Sequence, residues 1–226
     1  MHASLLARLD RLGPTAKEIA QIGAAIGRDF SYELLAVVAQ RGKAELQDAL
    51  YRLTDAGLVF QRGALPEATF LFKHALVRDA AYSTLLRGAR QELHAQIARA
   101  LETRLSEVVD SQPEPLAQHY AEAGLVEKSV AYWGKAGYRS AARSAMAEAA
   151  AQLQKALEQL ALLPDGPDRQ RQELEFCSAL GAALFAVKGF AAPERGVPMP
   201  ADESCGSGWV PPWSSFRFPL GSLCIT

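Results

Sequence analysis

The stretch "FLFKHALVRDAAYSTLLR", residues 70–87, changes its hydrophobic period part-way, and that change decides how the chain is read. Up to His74 the residues are strand-like, and Phe72 and Lys73 fall on opposite faces of the strand. From Ala75 onward the spacing is helical and stays so. Just upstream, "LVFQRG" (58–63) is a second strand-like run, and the turn-prone "GALPE" (63–67) separates the two. Together they are read as a two-stranded hairpin. His74 falls where strand hands over to helix, and its imidazole is expected to satisfy loose backbone groups there. Lys73 and His74 are therefore read as a structural joint, with ligand sensing as the competing role. Arg78 and Asp79 are adjacent and are expected not to face each other on the helix, so no ion pair is predicted between them.

Working outward toward the start, four helices precede the hairpin. "SLLARLDRL" carries Leu5, Leu6, Leu9 and Leu12 and stops at Gly13-Pro14. "PTAKEIAQIGAAIG" opens on a proline whose missing N–H costs nothing in a first turn. It puts Ala16, Ile19, Ala20, Gly23 and Ile26 on one side, and Gly27 ends it. "DFSYELLAVVAQRG" is read as a third helix, capped by Ser31 and stopped by Gly42. "KAELQDALYRLTDAG" is the fourth, with Leu46, Ala49, Leu50 and Leu53 inward and Gly57 at its end. Helices followed by a hairpin is the order of a winged-helix domain, assigned here to residues 1–87.

Toward the other end the chain is helical. A break at Gly88 opens a connecting helix over 88–112, and Ser111–Pro115 is a proline-bearing connector. Residues 113–192 are then read as antiparallel helices, with "PDGPDRQ" as a loop. Trp133, Gly137, Ala149, Leu153 and Ala156 occupy the W-x3-G…A-x3-F-x2-A positions of a tetratricopeptide unit of about 34 residues. Small residues there let two helices approach, and bulky ones fill the gap. Ser140 stands where tyrosine is usual, Pro164 falls late, and Leu180-Gly181 is read as the start of a next unit. A plain alanine-rich helical hairpin is the alternative. The fold class is thus mainly α: a winged-helix-like domain, tetratricopeptide-like repeats and an irregular tail, 193–226. That tail holds half of the chain's 12 prolines and a single alanine, so it breaks with everything before it. "ESCGSGWV" can be encoded so that a read two bases later gives Glu-Leu-Trp-Gln-Arg-Leu-Gly, an amphipathic continuation. An out-of-frame tail is the expectation.

Several function classes fall away on residue content. The net charge of −1 removes a bulk electrostatic case for nucleic acid or anionic membrane. No run approaches about 18 apolar residues, so no membrane span is predicted. Cys177, Cys205 and Cys224 lack paired spacing, which fits a reducing, cytoplasmic setting without disulfides. There is no G-x-x-x-x-G-K-[ST], G-x-S-x-G, H-E-x-x-H or C-x-x-C. His2, His74, His94 and His119 are scattered, and none is read as having a ligand-type neighbour at i+3 or i+4. His94 and His119 are expected to be half-buried, hydrogen-bonded helix residues. No catalytic residue, cofactor or metal is therefore predicted. In the candidate recognition helix, Lys43 and Arg52 face Glu45, Asp48 and Asp55, a balance that the DNA backbone would repel. The hairpin adds only Arg62 and Lys73.

The segments "SLLARLDRLGPTAKEIAQIGAAIGRDFSYELLAVVAQ", "ALYRLTDAGLVFQRG", "FLFKHALVRDAAYSTLLRGARQELHAQIARALE" and "LAQHYAEAGLVEKSVAYWGKAG" resemble one group of bacterial multidomain regulators. These are signal-transduction ATPases often fused to an adenylate or guanylate cyclase domain. Phe72, Lys73, His74, Ala75, Asp79, Ala80 and Tyr82 carry the motif. The likeness runs from about residue 3 to 194 and implies the winged-helix and repeat parts alone, so the chain is expected to be a fragment of a larger gene. The implied role is a non-catalytic regulatory piece. Its winged-helix part would pack on the ATPase domain of the parent protein, and its repeats would bind a protein partner, not nucleic acid or membrane. A stand-alone DNA-binding regulator with a helical sensor domain is the alternative.

Overall fold

Gly13-Pro14 separates α1 (His2–Arg11) from α2 (Pro14–Ile26), and Leu9 of the first helix is buried against the second. The structure, a computed structural model, describes residues 2–104, 109 and 111–188. The described residues all fall in one compact unit. The anomalous tail and its out-of-frame reading lie outside the described residues.

After α2 the chain enters β1 (Asp29–Ser31), α3 (Tyr32–Ala39), α4 (Lys43–Asp55), β2 (Val59–Arg62) and β3 (Thr69–Phe72). The sheet is antiparallel with order β1-β3-β2. The hairpin expected from the sequence is present, but it has a third strand. Residues 29–31, read as the opening of a helix, instead pair Phe30 with Phe70 and Ser31 with Thr69 across β3. Phe30 and Phe70 stack at 5.8 Å, and Phe72 lies 5.6 Å from Phe30, so three buried rings fix this joint. Ser31 does cap α3: its Oγ accepts from the Leu34 N–H at 3.2 Å. Gly42 does not stop α3. Gln40 ends it in the left-handed region, at φ 49°, and Gly42 caps α4 instead. Leu46, Ala49, Leu50 and Leu53 of α4 are all buried. Arg8 of α1 donates to the Ala56 carbonyl at 2.7 Å, satisfying a group left open at the end of α4.

α5 (Ala75–Ser83) and α6 (Arg87–Arg104) follow. The break between them lies at Thr84–Leu86, not at Gly88, which is inside α6. At the break the Thr84 hydroxyl donates to the Ala81 carbonyl at 2.6 Å and accepts from Gln21 Nε2 at 2.7 Å, tying the end of α5 to α2. α6 is more than a connector. Ile97, Ala98, Ala100 and Leu101 belong to the same buried cluster as Ile19, Leu53 and Phe72, and so do Leu116 and Tyr120 of α7 (Glu114–Glu122). No division between compact bodies falls at 87 or 112.

α7, α8 (Val126–Ala142), α9 (Met146–Leu160) and α10 (Pro167–Lys188) pack each on the next around a second buried cluster. Two glycines of α8 set how closely its neighbours approach. A Cβ on Gly137 would stand 2.6 Å from Leu153 Cγ, and one on Gly134 would stand 2.7 Å from the Phe176 ring. Leu153 is fully buried in the first of these notches, a burial that contributes about 2 kcal/mol. α10 begins at Pro167, inside the segment read as a loop, and Leu180-Gly181 lie past its midpoint rather than at its start. No described helix is long and apolar enough to cross a membrane.

Candidate functional site

α6 buries His94, Ile97, Ala98 and Leu101, a stripe at helical spacing, so the imidazole is carried into the interior with its apolar neighbours. α7 does the same with Leu116, Ala117, His119 and Tyr120. The two helices pack together, and His94 Nδ1 and His119 Nδ1 meet at 2.8 Å. Tyr82, on the flank of α5, closes the row: its hydroxyl is 2.9 Å from His94 Nε2. Three helices thus bring three polar rings into one hydrogen-bonded chain.

That chain has two proton arrangements. In one, Tyr82 donates to His94 Nε2, His94 Nδ1–H donates to His119 Nδ1, and His119 Nε2 carries the remaining proton. In the other, His119 Nδ1–H donates to His94, His94 Nε2–H donates to the Tyr82 oxygen, and His119 Nε2 is an open acceptor. Facing nitrogens at this distance cannot both hold a hydrogen, so the pair accepts at most one positive charge. Burial, helped by the charge of His94, pulls His119 down to about 4. Burial also lowers His94, against the attraction of Glu122, and raises the Tyr82 phenol. A raised phenol and neutral imidazoles make a poor nucleophile and a poor acid near neutral pH.

The chain lies on the wall of a cavity of about 660 Å³. Arg78, Asp79, Glu114, Trp133, Glu148 and Gln152 also line it. Gln152 is buried; its Nε2 donates to Glu114 Oε1 at 2.8 Å, while its Oε1 has no partner. Lys155 is laid over the Trp133 ring, 4.4 Å from its centroid. Nearby, Glu102 accepts from Tyr120 at 2.6 Å, Tyr132 at 2.7 Å and Lys128 at 3.2 Å, tying α6 to α7 and α8. The Tyr120 bond, chiefly, holds the Glu102 carboxyl below its ordinary value.

The residues singled out from the sequence separate into three places. Phe72 and Ala80 are core. Lys73, His74 and Ala75 are exposed at the strand-to-helix joint. Lys73 Nζ sits 5.5 Å from the Phe60 ring centroid, and its N–H donates to the Leu58 carbonyl. His74 caps α5 without a side-chain hydrogen bond; its carbonyl accepts from the Val77 N–H at 3.0 Å, so backbone and not imidazole makes the joint. Only Asp79 and Tyr82 of the motif reach the cavity. Arg78 and Asp79 do pair, at 2.7 Å, because a long guanidinium side chain can fold back along the helix to its neighbour. Both groups are exposed, so the pair adds little. Of the repeat positions, Trp133 lines the cavity, while Gly137, Ala149, Leu153 and Ala156 are buried where α8 crosses α9.

The histidine pair is the functional-looking feature that scanning the sequence misses. Its members are 25 positions apart on separate helices. One signal was legible: Glu122 stands three residues after His119 on α7 and lines the same cavity, which corrects the reading that no ligand-type residue sits at i+3. No group of three or more metal-binding side chains occurs among the described residues.

No family model matches the chain, and no solved structure matches it. One curated relative, described as an uncharacterized protein of Rhizobium meliloti (strain 1021), is 31% identical over 186 residues. That alignment covers 82% of this chain and 18% of the relative. The chain spans about a fifth of the relative's length.

Proposed function

We propose that this chain is a non-catalytic regulatory and protein-interaction segment of an ATPase- or cyclase-linked signalling protein. In this reading residues 1–87 form a winged-helix-like module, and α8 with α9 forms a tetratricopeptide-like unit that stacks on its neighbours and offers a surface to a protein partner. The observation that carries it is the crossing of α8 and α9. Leu153 fills the notch at Gly137 and Trp133 flanks it, the small-against-large fit that the repeat positions require. The match to about a fifth of a far longer relative fits a segment within a larger chain. The cations near α4 favour this over DNA binding: Arg52 is paired with Asp48 at 2.9 Å, and Arg41 with Glu18 at 2.7 Å and Glu45 at 3.4 Å.

Two measurements test the reading together. Nucleotide hydrolysis by the longer product of the parent gene should change when residues 1–190 are deleted, while the present chain alone hydrolyses nothing. Fluorescence anisotropy with a random duplex should show no binding that weakens with salt. Hydrolysis indifferent to the deletion, or steep salt-dependent DNA binding, replaces this reading with the DNA-binding one.

A further inference from the structure

We propose that the cavity beside the histidine pair binds a small ligand carrying an ammonium or guanidinium group, with Gln152 Oε1 and the carboxylates of Glu114 and Glu148 as its acceptors. Gln152 is the decisive residue. It is 9% exposed, and Glu114 fixes which way its amide faces, because a carboxylate can only accept from Nε2. Its Oε1 is then a buried acceptor with no donor, a costly state in an interior that pairs nearly all such atoms. A donor supplied from the cavity removes that cost.

Charge gives the donor its sign. Asp79, Glu114, Glu122 and Glu148 line the cavity against Arg78 and Lys155. Arg78 is spent on Asp79, and Lys155 is held on the Trp133 ring. Glu148 makes no ion pair among the described residues, and it stands one helical turn from Gln152 on α9, on the same face. Burial keeps both histidines neutral, so they do not repel a cation. The open acceptor state of His119 Nε2 would be selected by a donating ligand. A cavity of about 660 Å³ has the size of ordinary small-molecule sites.

The test is calorimetric titration of the full chain with three four-carbon probes of like length: putrescine, 1,4-butanediol and succinate. Putrescine should bind saturably and the other two should not. Glu148→Gln and Gln152→Leu should each weaken putrescine by about tenfold or more, the usual cost of losing one charge-assisted hydrogen bond. Glu158→Gln, elsewhere on α9, should leave it unchanged. Glu148 is exposed, so its variant decides the matter should Gln152→Leu fail to fold. The proposal is overturned by absent or unsaturable putrescine binding, by equal binding of butanediol or succinate, or by equal effects of the Glu148 and Glu158 variants.

Discussion

An imidazole that refuses a proton stores a pH dependence, and His119 is that residue. In an unfolded chain a histidine takes its proton near 6.5; folded, His119 resists until about 4. Between those values the unfolded state holds a proton that the folded state lacks. Stability is therefore full above about pH 6.5 and falls as the pH is lowered through that window. By pH 5 the loss should be about 2 kcal/mol relative to pH 8. Urea unfolding at the two pH values measures it, and His119→Gln should lose distinctly less on acidification. An equal loss in both proteins would mean that burial does not keep this ring neutral. His94 and the groups about it, Glu122, Tyr82 and Arg90, are left in place by that substitution. The helix setting and hydrogen bonding of both histidines were legible in the sequence, though they are buried rather than half-buried; their pairing was not. A histidine on an apolar stripe says only that it is buried, and which ring it meets is decided by how α6 and α7 pack.

At the scale of elements, period was a good guide wherever a stripe ran for two turns or more. α2, α4, α8 and α9 carry inward residues at the spacing their sequences show. β1 was hidden because three residues cannot display an alternation, and its register comes from the rings of β3. The α5–α6 break was misplaced because no glycine or proline marks it: α5 ends at Ser83 with Thr84 as its cap, while Gly88 is accommodated inside α6. The crossing of α8 and α9 supports a prediction of its own. Gly137→Ala should destabilise by about 1–3 kcal/mol, since the new methyl group must displace Leu153. Combined with Leu153→Ala, the total should fall short of the sum of the two single losses, because the clash needs both side chains. Strict additivity in a double-mutant cycle would show that the two helices do not meet there.

For the whole molecule, the core ignores the boundaries that composition and resemblance had suggested. Leu9, Ile19 and Leu53 share one buried cluster with Ile97, Leu101, Leu116 and Tyr120. A chain ended at residue 87 would expose those residues, and should give a sloping, non-cooperative urea transition by circular dichroism. A chain ended at residue 190 should unfold in one sharp step. A sharp transition in the shorter chain would restore an independent first domain. Sequence spacing could not reveal this, because the apolar stripe of α6 serves a connector and a core helix equally well.

α6 is gripped at two points, at His94 by Tyr82 and His119, and at Glu102 by Tyr120, Tyr132 and Lys128. The grips are about 12 Å apart along its axis at the usual rise per residue. A pivot about either point would have to break the hydrogen bonds at the other. α5 and α8 are thereby joined through one unbroken helix, hydrogen-bonded to the first at His94 and to the second at Glu102.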